Sequence, residues 1–123
     1  MIRKLIILII SFLSLLLIIF SVFKFKEINE LKYYNNNEQE MIEAALNYFR
    51  YYSNYLPKTK EDKKIVLLEA LIKEKYILND VVDINNKKCN YIKSYVEVSK
   101  VSDVDYIYKA HLVCDDYETK DGD

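Results

Sequence analysis

Apolar and polar positions divide the chain into segments with different periods. From Leu5 to Phe23 it reads LIILIISFLSLLLIIFSVF, nineteen residues without a charge and with only Ser11, Ser14 and Ser21 as polar interruptions. As a helix this stretch is about 28 Å long, close to the roughly 30 Å hydrocarbon layer of a bilayer. Because it is apolar all round, a remainder of some hundred residues could not bury it as a core helix, and it predicts a membrane-spanning segment. It is longer than the 7–15-residue core of a signal peptide, and no small-x-small site follows it, so it predicts an uncleaved anchor. Residues 24–37 follow as a juxtamembrane stalk. Ile28 and Leu31 give them a thin apolar stripe, and Asn35, Asn36 and Asn37 predict a break or kink. Asn37 with Glu40 three residues on forms a capping-box-like pattern.

Beyond the stalk the period is helical. Ile42, Ala45, Leu46, Phe49, Tyr52 and Leu56 recur at i, i+3, i+4 and i+7, predicting an amphipathic helix over 38–56 that Pro57 stops. Tyr51 points away from that stripe, which makes it a candidate for a partner surface. The charged run KTKEDKK (58–64) reads as a solvated loop. Residues 65–76 read as a second, shorter helix with Leu67, Leu68, Leu71 and Ile72 on its apolar face. Residues 79–90 are rich in turn formers and read as an irregular connection. The period then changes to two. SYVEVSKV (94–101) and YIYKAHLVC (106–114) predict an antiparallel hairpin around the loop Ser102–Asp105. In its second strand Tyr106, Tyr108, Ala110, Leu112 and Cys114 form the better core face. The expected fold is therefore α+β: a cytoplasmic tail (1–4), a transmembrane helix (5–23), the stalk (24–37), and a small extracytoplasmic domain (38–123) of two helices and a C-terminal antiparallel hairpin or small sheet.

Composition sharpens this picture mostly by exclusion. Of 123 residues, 18 are basic and 19 acidic, for a net charge of −1, which speaks against a nucleic-acid-binding surface of the basic kind. One glycine leaves no phosphate-cradling loop, and one histidine leaves no multi-histidine metal site. That histidine, His111, lies mid-strand beside Lys109 and reads as a half-exposed strand residue, not as the base of a catalytic pair. The acidic tail (Asp115, Asp116, Glu118, Asp121, Asp123) lacks the spacing of a calcium loop and reads as a solvated terminus. We therefore expect no catalytic, cofactor or metal site and no small-molecule substrate. Tyrosine is abundant, with 12 residues, but Ile, Lys and Asn are over-used as well, so the excess carries only part of the weight it would carry alone.

Basic residues flank the apolar segment almost equally, with Arg3 and Lys4 before it and Lys24, Lys26 and Lys32 after it, so charge does not orient it. The two cysteines do. Cys89 and Cys114 are too far apart for a redox C-x-x-C pair and lack other soft ligands nearby. An even count in a small domain predicts a disulfide, and hence an oxidising compartment for the domain with the N-terminus in the cytoplasm.

The helix EQEMIEAALNYF, then IVLLEALIKEKYIL, C-x5-YVEV and YKAHLVCDDYET, together covering about Glu38 to Thr119, resemble the layout of prepilin-like and pseudopilin-like surface proteins of low-GC Gram-positive bacteria. The resemblance implies an anchoring N-terminal helix, an exposed helix lying on β-strands, and a C-terminal disulfide. The start, MIRKLIILIISF, departs from that family. It has neither the glycine of a prepilin processing site nor the glutamate that follows it. Two roles then compete: a non-enzymatic, pilin-like structural or adaptor subunit of a cell-envelope or secretion assembly, which self-associates or binds a protein partner; or a bitopic accessory or regulatory subunit of a larger membrane protein complex.

Overall fold

The computed structural model describes residues 1–120, so Asp121 and Asp123 of the acidic tail lie outside the described residues. The elements are α1 (Ile2–Tyr51), β1 (Lys63–Leu67), α2 (Leu68–Lys73), β2 (Tyr95–Lys100) and β3 (Tyr106–His111), with a 3-10 turn at Ser53–Tyr55. The fold is α+β, and the chain forms two compact units, Met1–Tyr33 and a second one from Tyr34 onward.

The first unit is helical from Ile2 onward, and residues 1–29 are all exposed. It contains a stretch long and apolar enough to cross a membrane, none of it buried by protein. Ser21 donates its hydroxyl to the Leu17 carbonyl at 2.9 Å, so this serine satisfies itself inside the helix.

The predicted break at Asn35–Asn37 is absent, and α1 runs through it. Asparagine costs a helix only about 0.5 kcal/mol per residue, and both sides are tied down: Tyr34 is buried in the second unit, and Glu38 is hydrogen-bonded within it. The helix ends at Tyr51, earlier than the predicted Leu56. Leu56 is extended, at φ −62° and ψ 150°, as a residue before proline is biased to be. The buried stripe is also rotated from the predicted one. Met41, Ala44, Ala45 and Phe49 are buried while Leu46 is 40% exposed. Hydropathy ranks Leu46 above the two alanines, yet the alanines lie on the face the domain covers and Leu46 does not.

The second correction concerns residues 63–76. Lys63–Leu67 is an edge strand where the charged loop ended and the second helix was expected to begin, and α2 is confined to Leu68–Lys73. Val66 is the only side chain of β1 that the core buries, opposite Val96 of β2. A strand with one buried residue leaves almost no period-two signal. The short α2 closes with a Schellman motif: Tyr76 N–H donates to Leu71 O at 2.8 Å and Lys75 N–H to Ile72 O at 3.1 Å. Lys75 supplies the left-handed residue, at φ 64°, where glycine is usual.

The hairpin is where the sequence placed it. β2 pairs with β3 from Tyr95↔His111 to Lys100↔Tyr106, and the sheet order is β1-β2-β3, antiparallel throughout. Val96 and Val98 are fully buried on the inner face, along with Leu112 beyond β3. Phe49 of α1 lies on this face, its ring 6.3 Å from that of Tyr108. The connection before β2 is held by side chains. Buried Asp83 accepts from the backbone N–H groups of Asn85 and Lys87, both at 2.9 Å, and buried Ser94 exchanges hydrogen bonds with both backbone groups of Val113.

Candidate functional site

Two places in the second unit gather side chains with chemistry. The first is the clasp that ties the C-terminal segment to the rest. Cys89 and Cys114 form a disulfide, both sulfurs in nearly buried residues, closing a sequence separation of 25. Beyond Cys114 the chain turns back, with Thr119 N–H donating to Leu112 O at 3.0 Å. The Glu38 carboxylate on α1 accepts hydrogen bonds from the Tyr117 hydroxyl and from Thr119 Oγ1, the latter at 2.7 Å. The Tyr117 ring stacks on Tyr34 at 4.1 Å. Burial, followed by the hydrogen bond to Glu38 and its negative charge, pushes the Tyr117 hydroxyl up to about 12. The clasp is structural: its polar groups are spent on one another.

The second place is concave. Tyr48 and Phe49 of α1, Tyr55 of the 3-10 turn, and Lys64 and Ile65 of β1 line a groove of about 220 Å³. Tyrosines back it. The Tyr48 ring meets Tyr76 edge-on at 5.6 Å, and Tyr52 stacks beside Tyr55 at 5.7 Å. Burial, with the Glu74 carboxylate nearby, raises the Tyr48 hydroxyl above its ordinary value. The groove is smaller than the roughly 300–1,000 Å³ of sites for drug-sized ligands. It has room for about one large side chain.

Tyr51, singled out from the sequence, is 76% exposed, its ring edge-on to Tyr52 at 4.8 Å, and it does not line the groove. Sequence reasoning missed Lys64 and Ile65 because it missed β1, and Tyr55 because it ran the helix on to Leu56 where the structure has a 3-10 turn. The available signal was the β-branched pair Ile65–Val66 directly after the charged run. His111 is half-buried on the outer face of the sheet, stacked on Tyr95 at 5.0 Å and 3.3 Å from Glu118. Among the described residues, no three His, Cys, Asp or Glu side chains gather in a group that could hold a metal ion.

Compared with family models, with curated proteins and with solved structures, the chain shows no match.

Proposed function

We propose that the protein is a single-pass, non-enzymatic, pilin-like surface protein that serves as a structural or adaptor subunit of a cell-envelope or secretion assembly. Its N-terminus lies in the cytoplasm and its disulfide-bonded domain outside. One observation carries the reading: a single helix, α1, supplies first an apolar segment of bilayer length and then the buried stripe that packs on a disulfide-clasped antiparallel sheet. That is the division of labour of a subunit held at a membrane by one end and presenting a folded domain at the other. The disulfide supports the outside placement, since such bonds persist in oxidising compartments.

Mild cross-linking in native membranes, with the cross-linked residues mapped by mass spectrometry, tests the role. A ladder of self-adducts, or a partner joined through residues of the domain, is the expected result. Cross-links confined to residues 5–23 and to one larger membrane protein would instead make the chain an accessory subunit that acts through its helix.

A further inference from the structure

The lysine-bearing edge of β1 adjoins the tyrosine groove, which Lys64 and Ile65 help to line. Leu68 N–H bonds to Ser94 O at 2.9 Å, while Leu67 stands opposite Tyr95. In an antiparallel ladder the direction of the backbone groups alternates. Lys64 and Val66 therefore turn theirs toward β2, and Lys63, Ile65 and Leu67 turn theirs outward. All three outward residues are exposed, and among the described residues no other strand pairs with this edge.

We propose that β1 receives an extended peptide segment of a partner protein as a fourth strand, with an aromatic side chain of that segment entering the groove and a neighbouring carboxylate meeting the lysines. A strand laid along the outer edge of β1 takes its hydrogen bonds from Lys63, Ile65 and Leu67. Its side chain opposite Lys64 lies on the inner face, where Tyr48, Phe49 and Tyr55 wall the groove. Its neighbour opposite Lys63 lies on the outer face. Charge sets the partner's chemistry. Residues 58–64 carry four lysines against Glu61 and Asp62, and β1 has no carboxylate of its own; Lys63 stands 3.8 Å from Glu97 of β2 in a largely exposed pair that a partner carboxylate can join. The same charge argues against a second copy of this chain. Antiparallel pairing of β1 with β1 centred on Ile65 would set Lys63 against Leu67 and Lys64 against Val66 and bring the lysines no carboxylate, and β3 offers Lys109 and no carboxylate. Lysines alone are a common device for keeping an edge from pairing. Here they stand beside a concave aromatic groove, which a merely guarded edge does not need. This site rests on the adaptor reading and gives that reading a partner of defined chemistry.

The test uses the full chain in detergent micelles and the probe peptide acetyl-Thr-Val-Thr-Val-Phe-Glu-Thr-amide, which runs antiparallel to β1 with Phe opposite Lys64 and Glu opposite Lys63. On binding, amide hydrogen exchange should slow at Lys63, Ile65 and Leu67 and stay unchanged at Lys64 and Val66, whose N–H groups are already paired. Tyr55→Ala should weaken the probe at least tenfold. So should Ile65→Pro, which removes an outward donor without touching the β1–β2 ladder. A probe N-methylated at the amides that face β1 needs no protein variant and should not bind. The site is overturned if the probe fails to bind, if the N-methylated probe binds equally well, or if exchange slows without the alternation. It is overturned too if the edge is already protected in a concentration-dependent way by a second copy. A chain that ignores the probe but still cross-links to a partner through its domain refutes this site and leaves the adaptor role standing.

Discussion

The two halves of α1 are one helix with two different distributions of apolar residues. Over 5–23 no side chain is buried, and isoleucine, leucine and phenylalanine point in every direction. From Tyr34 to Tyr51 the same helix buries a single stripe, Tyr34, Met41, Ala44, Ala45 and Phe49, and leaves charged residues such as Glu43 and Arg50 in water. The difference lies in what satisfies each half. The first has no protein to cover it, and it is long and apolar enough to cross a bilayer. The second gains stability by covering a sheet that cannot stand alone, since three short strands need something on their apolar face. A continuous helix thus says nothing by itself about its surroundings; the angular spread of its apolar residues does.

The comparison breaks first at Phe49. Phe49→Ala should destabilise the domain by about 3–5 kcal/mol, because the ring is buried against the sheet. Denaturant unfolding of the chain in detergent measures this, with Leu16→Ala as the counterpart in the first half that leaves the domain transition where it was. The reverse contrast comes from charge. Leu13→Arg should cost about 2.5–3.5 kcal/mol of membrane insertion, read as the fraction integrated in microsomes. Glu43→Arg, on the wet face of the second half, should leave insertion unchanged.

Removing one hydrogen bond of the clasp comes next. Tyr117→Phe deletes the hydroxyl that Glu38 accepts and should cost about 1–2 kcal/mol. It also has a pH signature. The folded chain holds the Tyr117 proton up to about 12 while the unfolded chain releases it near 10, so this contribution is fully present below the lower value. It is lost as pH rises through the upper one. Stability of the native chain should fall over that window, and the fall should be shallower in Tyr117→Phe. The smallest effect is expected at Tyr51, where Tyr51→Ala should change domain stability by no more than about 0.5 kcal/mol, since its ring is mostly in water.

Legibility followed how much each element buries. The hairpin was readable because Val96, Val98 and Tyr108 alternate with Glu97 and Lys109 on two faces of different wetness. The apolar segment was readable because nothing interrupts it. β1 was not, because only Val66 of its five residues is buried and its lysines imitate a loop. The phase of the second half of α1 was only partly readable, since Met41 and Ala44 carry less hydropathy than Leu46, which stays exposed. The groove depends on both of these elements. Tyr48 and Phe49 belong to a helix that the sequence showed, but Lys64 and Ile65 belong to a strand that it did not. The clasp at Glu38 was out of reach for another reason: it joins residues 79 and 81 positions apart, and no local pattern announces such a contact.

We propose above a helix that is kept in the membrane and a disulfide-bonded domain outside the cytoplasm. Mass spectrometry of carbonate-washed membranes, alkylated without reductant, tests it most directly. The account predicts a species that retains residues 5–23, pellets with the membrane, and carries no alkyl group on Cys89 or Cys114. A soluble form that begins near residue 24, or a membrane-bound form alkylated at both cysteines, would contradict it.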